Sequence, residues 1–188
     1  VHIFLAADGV DGLSESTEAS STVRGPSELG SAGVGTAMAI ADVTGDESLD
    51  LILGAPNAQV DGSPVGGVLV ASDRSWSAGE HTLFAEDGFW SAVPGTQAGE
   101  AVAAIDMTGD GVTHIVVAAP YADTEESDEG RVFIVSAFAE ESTLAAASAM
   151  VIDGNHGGAL FGSALAVGDL DNDGTDDLVV GSVRRNVY

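Results

Sequence analysis

The sequence predicts an all-β fold of propeller-type blades, each with four antiparallel strands, and about three blade equivalents in 188 residues. The first observation is a repeat: three segments align without gaps over their cores, at 34–56, 98–120 and 161–183. The second is its even spacing, since the first aspartates (Asp42, Asp106 and Asp169) stand 64 and 63 residues apart. The third is the content of each repeat, because four short apolar runs in about 63 residues are typical of one propeller blade.

Each unit contains four predicted strands, which follow one another along the chain. The first strand alternates small and larger residues, as at 37–41, and ends at a polar loop. The second is a short apolar run, found at 51–53, 115–117 and 178–180. The third follows a glycine, at 67–71 and 130–135, and a weaker fourth is predicted at 81–85 and 149–153. Runs this short and rich in β-branched residues favour buried strands over helices. The helix candidate, Glu140–Met150, lacks an apolar face, so a helical turn and a loop are equal alternatives.

The two ends of the chain predict a divided blade within a single domain, 1–188. Residues 1–7 resemble the third strand of a unit, and the chain stops at Tyr188, where that strand would begin. Three blades closed on themselves would crowd the centre, because propellers typically have four to eight blades. Either the chain is a fragment of a longer propeller, or each copy completes its split blade with strands of a neighbour. The second contact is head-to-tail and gives a ring or an open filament.

Composition excludes several classes of function. There are 30 acidic and 5 basic residues, a net charge of −25, and every basic residue is Arg. A surface this acidic repels phosphate backbones and excludes nucleic-acid binding. The absence of Cys excludes disulfides and thiolate metal sites, and the apolar runs are too short for a membrane span. Such charge destabilises a compact chain unless salt screens it, which predicts a halophilic source. The alternative is an acidic secreted protein whose carboxylates bind divalent cations.

The acidic loop of the third unit predicts a calcium site. Carboxylates occupy positions 1, 3, 5 and 9 (Asp169, Asp171, Asp173 and Asp177), Gly174 is at position 6, and the Thr175 carbonyl is at position 7. Alternate oxygen ligands in a tight loop suit a hard cation that takes six to eight oxygens, whereas magnesium demands stricter geometry. The loop has no Cys or His, which argues against zinc and copper. An EF-hand needs Glu at position 12, which is Val180 here. The alternative is a turn fastened by Asp side chains on backbone amides.

The other two loops are weaker versions of the same pattern. The first offers Asp42, Thr44, Asp46, Asp50 and the Ser48 carbonyl. The second offers Asp106, Thr108, Asp110 and the Val112 carbonyl, and its position 9 is His114, a poor calcium ligand. Because ligand charge sets calcium affinity, affinity is expected to fall from the third loop to the first and then to the second.

The repeated motif resembles FG-GAP repeats, as in the propeller of integrin α subunits. The "FG" is Phe161-Gly162, relaxed to Val34-Gly35 and Ala98-Gly99. The "GAP" is Gly54-Ala55-Pro56, with Ala118-Ala119-Pro120 as a near match and Gly181-Ser182-Val183 as the weakest. The resemblance implies calcium-binding loops on the lower face of a propeller, ligands on the opposite face, a cell-surface or extracellular setting and a seven-bladed ring.

The sequence predicts a non-enzymatic protein. The four histidines are scattered, and no nucleophile motif, phosphate loop or zinc-protease motif is present. We therefore expect a calcium-binding, extracellular structural protein that self-assembles through its terminal strands. The alternative is a fragment of a seven-bladed adhesion propeller that binds protein or carbohydrate. For that alternative, the aromatic residues would form a recognition platform or belong to the core (Trp76, Phe84, Phe89, Trp90 and Tyr121).

Overall fold

The computed structural model of the chain describes residues 1–3, 21–72, 79–136 and 143–183. Its strands are β1 (His2–Ile3), β2 (Ser21–Arg24), β3 (Met38–Ala41), β4 (Asp50–Gly54), β5 (Gln59–Val60), β6 (Ser63–Pro64), β7 (Gly67–Ala71), β8 (Gly79–Thr82), β9 (Gly88–Trp90), β10 (Ala101–Ile105), β11 (His114–Ala119), β12 (Arg131–Val135), β13 (Ser148–Asp153), β14 (Phe161–Gly168) and β15 (Asp177–Ser182). Helical structure in the described ranges is limited to α1 (Leu144–Ala147) and two 3-10 turns, at Ser27–Leu29 and Ala85–Asp87.

The strands form two complete four-stranded antiparallel sheets. Sheet 1 has the order β3-β4-β7-β9, and sheet 2 has the order β10-β11-β12-β13. The C-terminal hairpin is β14-β15, and the N-terminal sheet is β1-β2-β8, in which β2 and β8 run parallel. A short ribbon, β5-β6, lies apart from these sheets. The predicted all-β fold with four-stranded antiparallel blades is confirmed, as are the predicted first, second and third strands of both complete units.

The sheets stack in chain order, and the central strands β4 and β11 are thereby buried on both faces. Along β11, Ile115 and Val117 pack with residues of sheet 1, whereas Val116 and Ala118 pack with residues of the C-terminal hairpin. The far face of sheet 1 is covered by the N-terminal sheet through residues such as Val23. Successive side chains of a strand point to opposite faces of the sheet. Because both faces are covered here, the apolar residues of a central strand lie on both faces, and the strand appears in the sequence as a continuous apolar run.

The fourth strand of the first unit was predicted wrongly at His81–Ala85. The strand that pairs with β7 is β9, and β8 joins the N-terminal sheet instead. Burial explains the difference, since Phe89 packs into the core on one side of sheet 1 and Trp90 into the core on the other. Their rings bury more apolar area than the polar residues of β8 could. In the second unit the predicted fourth strand is confirmed as β13.

Only part of the helix candidate at Glu140–Met150 is helical. Leu144–Ala147 forms one turn, and Ser148 already begins β13; residues 140–142 lie outside the described residues. The turn persists because Leu144 and Ala147 are buried against the core between the two sheets.

Within the described residues, the sheets at the two ends contain antiparallel pairs that match different halves of a blade. The C-terminal hairpin corresponds to the first and second strands of a unit. The antiparallel pair of β1 and β2 corresponds to the third and fourth. The predicted terminal strand at 1–7 is described only to Ile3, and residues 184–188 also lie outside the described part of the chain.

The conserved geometry of the repeat depends on a glycine that opens each first strand. Gly35, Gly99 and Gly162 have φ values of +88°, +91° and +95°, in the region that favours glycine. At Gly99 a Cβ atom would also lie 2.0 Å from the carbonyl oxygen of Gly67 in the preceding unit. Neighbouring units therefore meet backbone to backbone at this point.

We expect Gly99→Ala to destabilise the protein more than Gly95→Ala. Gly95 also has a positive φ, of +82°, but a Cβ there would meet no atom within 4 Å. Gly95→Ala should thus cost only the backbone strain, about 1–2 kcal/mol, and Gly99→Ala about 1–3 kcal/mol more for the overlap. Free energies of unfolding from denaturant titration measure both. Equal losses would show that the units do not meet closely at Gly99.

Candidate metal centre

The three acidic loops, 42–50, 106–114 and 169–177, have one backbone conformation. Each joins the first and second strands of its unit. In all three, φ is positive at positions 4 and 6, at Gly45 and Glu47, Gly109 and Gly111, and Asn172 and Gly174. The loops are therefore equivalent structures, although Glu47 stands where the other two have glycine.

The aspartate at position 1 closes each loop through its backbone. Its Oδ2 accepts a hydrogen bond from the amide at position 6, at 2.8 Å for Asp42, 2.8 Å for Asp106 and 3.0 Å for Asp169. Its Oδ1 accepts from the amide at position 4 or 5. A carboxylate that accepts such bonds holds the loop in shape.

The aspartate at position 9 is fixed in the same way in the first and third loops. Asp50 Oδ2 accepts from the Val43 amide at 2.9 Å and from the Thr44 hydroxyl at 3.2 Å. Asp177 Oδ2 accepts from the Leu170 amide at 2.8 Å. Asp50 is only 1% exposed, and its Oδ1 is a buried oxygen without a hydrogen-bond partner. A buried acceptor of this kind is costly unless a ligand satisfies it.

The aspartate at position 5 turns toward its own loop. The amide at position 7 donates to Oδ1 of Asp46, Asp110 and Asp173, at 2.8, 2.9 and 2.8 Å. In the third loop the Thr175 hydroxyl donates to the same oxygen, and this bond, with that of the Thr175 amide, lowers the pKa of Asp173. Asp173 therefore does not belong to the convergent group described next.

Three carboxylates converge in the third loop. One oxygen each of Asp169, Asp171 and Asp177 lies within 4.8 Å of the others. Within the part of the chain that the structure describes, this is the one group of three acidic or histidine side chains that meets this distance. A site that offers only oxygen ligands on a short loop suits a hard divalent cation. The donor set thus fits the predicted ion in the third loop, and the unpartnered Oδ1 of Asp50 fits it in the first.

In the second loop the predicted ligands form hydrogen bonds within the loop, and no group of three carboxylates converges among its described residues. Asp106 accepts from the amides of Thr108, Gly109 and Gly111, and the bond from Gly111 is the main cause of its lowered pKa. The Thr108 hydroxyl also points to Asp106 Oδ1. His114 replaces the aspartate at position 9, and its Nδ1 lies 3.2 Å from the Val112 carbonyl, one of the predicted ligands.

The second and third loops also touch each other, which sequence analysis did not foresee. The Asp176 amide donates to the Asp106 carbonyl at 3.3 Å, and Asp176 Oδ2 accepts from the Asp106 amide at 3.4 Å. Asp176 lies between two predicted ligands in the sequence, and no spacing rule marks it. Its role follows only from the stacking of adjacent units.

The aromatic platform is largely absent from the described surface. Phe89 and Trp90 are buried at 8% and 7% exposure, Tyr121 is half-buried, and Phe84 is exposed. Trp76 lies outside the described residues. Within the described residues, no helix has the length and apolar character needed to cross a membrane.

Comparison with known proteins agrees with the repeat structure. The family model for the FG-GAP repeat matches residues 98–135 and 161–182, which contain the second and third loops. Integrin alpha-PS2 of Drosophila melanogaster is 30% identical over 177 residues, which is 89% of this chain. The chain spans 11% of the length of that relative. The chain therefore carries repeats of the FG-GAP family within an all-β, propeller-type fold.

Proposed function

We propose that this chain is a calcium-binding structural module of a cell-surface or extracellular protein. The observation that carries the proposal is the convergence of Asp169, Asp171 and Asp177 within 4.8 Å on a loop whose backbone recurs in every unit. Similarity to an integrin α chain supports the setting outside the cell. The 188 residues are proposed to form one domain, with repeat cores at 34–56, 98–120 and 161–183.

Calcium is the ion that the ligand set favours. The third loop supplies the three convergent carboxylates, to which the Asp173 side chain and the Thr175 carbonyl can be added on binding. The first loop supplies Asp42, Asp46 and Asp50 with the Thr44 hydroxyl and the Ser48 carbonyl. The second supplies two carboxylates, Asp106 and Asp110, with Thr108 and the Val112 carbonyl. Because affinity follows ligand charge, the order is third, first, second.

The charge balance supports a requirement for cations. Both arginines in the described ranges are already paired, Arg24 with Glu80 and Arg131 with Asp153. With a net charge of −25, the remaining carboxylates rely on dissolved cations for screening. We propose on this basis that the protein works in a saline environment.

A structural, self-assembling role is favoured over ligand binding. Within the described residues, the sheets at both ends of the stack have fewer than four strands, and unpaired sheet edges tend to pair with another chain. The second candidate is an adhesion module that binds a protein or carbohydrate, and the similarity to integrin alpha-PS2 favours it. We propose no catalytic activity for either role.

Calcium should raise the melting temperature of the purified chain. An ion that binds the folded but not the unfolded chain stabilises it by mass action, by about 2.7 kcal/mol at one hundred times its Kd. Melting is followed by circular dichroism with calcium, with magnesium at equal ionic strength, and after chelation. A melting temperature that responds equally to both ions would indicate screening alone and contradict a calcium site.

Asp171→Asn should weaken calcium binding more than Asp106→Asn. Asp171 belongs to the convergent group, whereas Asp106 is held by amides of its own loop. The substitution removes one ligand charge with little change of shape, and we expect at least about a tenfold rise in Kd, or about 1.4 kcal/mol. Isothermal titration calorimetry measures the affinity, and equal losses for the two variants would refute the proposed order of the loops.

A further inference from the structure

The first strands of the units have two unlike faces. The larger apolar side chains point to the preceding unit: Val102 packs against sheet 1, and Leu165 and Val167 pack against sheet 2. The side chains of these strands that point to the following unit are mostly alanines: Ala39 and Ala41 toward sheet 2, and Ala101 and Ala103, with the larger Ile105, toward the C-terminal hairpin. Each junction between the described units therefore joins a face with larger side chains to a face made mostly of alanines.

The same two faces are exposed at the two ends of the stack. At the start, Met38 and Ile40, which are equivalent to Val102 and Ala104, are 55% and 67% exposed. At the end, Ala164 and Ala166 are exposed, and Val179 beside them is 45% exposed. The described chain thus presents an unpartnered face of each kind.

An open apolar groove of about 620 Å³ marks the first of these faces. It is lined by residues of β1, of β3 and of the start of β4, together with Leu49, which is 64% exposed. The groove is where the first two strands of a preceding unit would lie, since β10 contacts β3 and β4 of sheet 1, and β14 contacts β10 and β11 of sheet 2. A two-stranded hairpin therefore matches its position.

Free strand edges lie next to both faces. In complete sheets the second strand pairs with the third, with Gly54 opposite Val68 and Ala118 opposite Val132. In the described part of the chain, β15 pairs only with β14, and β1 only with β2. Within the described residues, each end therefore carries the strand that would complete the sheet at the other end.

The register of the missing pair follows from the repeat. Val1 exchanges backbone hydrogen bonds with Val23, in the place where the Gly130 carbonyl accepts from the Gly154 amide. The Val1 side chain also lies against Gly35, so β1 is placed beside the start of the first unit as β7 is placed beside Gly99. Ile3 is therefore equivalent to Val68 and Val132, and its partner in a completed sheet is Gly181.

We propose that a second copy of this chain docks its C-terminal hairpin in the groove beside β1. β15 of one copy then pairs with β1 of the next, with Gly181 opposite Ile3. Met38 and Ile40 pack on Ala164, Ala166 and Val179 of the other copy. The occupant is a second copy because the hairpin of this chain has both the complementary face and the complementary free edge. The contact is heterologous, so it repeats to give a ring or a filament.

This docking rests on the proposed structural role but not on calcium. It would bring the third loop of one copy beside the first loop of the next, as the second and third loops touch within one chain. Both loops are acidic, so like charges oppose association at low ionic strength. In about 1 M NaCl the screening length falls to about 3 Å. Association should therefore be strongest in high salt.

The test uses two variants that each block one end. Ile40→Glu removes the docking face beside β1, and Ala166→Glu removes the face of the hairpin; both positions are exposed, so neither variant disturbs the core. In high salt the unmodified chain should form species of increasing size with concentration, measured by sedimentation velocity. Each variant alone should be a monomer. An equimolar mixture should give a heterodimer that grows no further, because one intact face of each kind remains.

Val93→Glu is the matched control, because Val93 is an exposed apolar residue with 54% exposure, close to the 55% of Met38. It should assemble like the unmodified chain. Amide exchange at 2–3 and 177–182 should slow in the heterodimer relative to either variant alone. An unmodified chain that stays monomeric in high salt and in low salt would overturn the proposal. So would a mixture without heterodimer, or assembly that neither substitution affects.

The same measurements separate this inference from the calcium proposal. Asp171→Asn should lose calcium affinity but still assemble in high salt. A chain that assembles without binding calcium would refute only the calcium site. A chain that binds calcium but remains a monomer would refute only the docking.

Discussion

The structure depends on one constraint: a sheet with apolar side chains on both faces must be covered on both sides. β11 shows this most directly, since Ile115 and Val117 face one neighbour and Val116 and Ala118 the other, all fully buried. No unit of this kind can be stable alone, because half of its apolar side chains would be exposed to water. Stacking in chain order covers both faces of sheet 2, whereas Met38 and Ile40 of sheet 1 and Ala164 and Ala166 of the C-terminal hairpin are exposed.

The geometry of the acidic loops makes compatible two roles that the sequence presented as alternatives. Asp42, Asp106 and Asp169 fasten the turn by accepting backbone amides, which is the turn-forming role of aspartate. At position 9, one oxygen of Asp50 is used in this way while the other is left without a partner. The same side chain can thus shape the loop and offer an oxygen to an ion, so a preformed loop and a cation site are compatible.

Periodicity and repeat alignment predicted most of the fold because they report burial directly. The runs at 51–53 and 115–117 lie in buried strands, as their composition indicated. The sequence misled at His81–Ala85, because local composition does not reveal that Phe89 and Trp90 fill the cores on both sides of sheet 1. Spacing likewise gave the positions of the loop aspartates but not their directions. Asp173 turns to Thr175, and Asp176 meets Asp106, through contacts that depend on backbone torsion and on neighbouring units.

The unlike faces of the first strands have a consequence for how such proteins evolve. Mostly alanines on one side and larger side chains on the other make the junction of sheet 1 with sheet 2 similar to that of sheet 2 with the C-terminal hairpin, although Ile105 of the second stands where the first has Ala41. A duplication or deletion of one whole repeat would then leave all remaining junctions intact, because each unit contacts only its neighbours. The number of repeats is therefore free to vary in a lineage, whereas a shift of a single residue within one strand would exchange its two faces and disrupt two junctions at once.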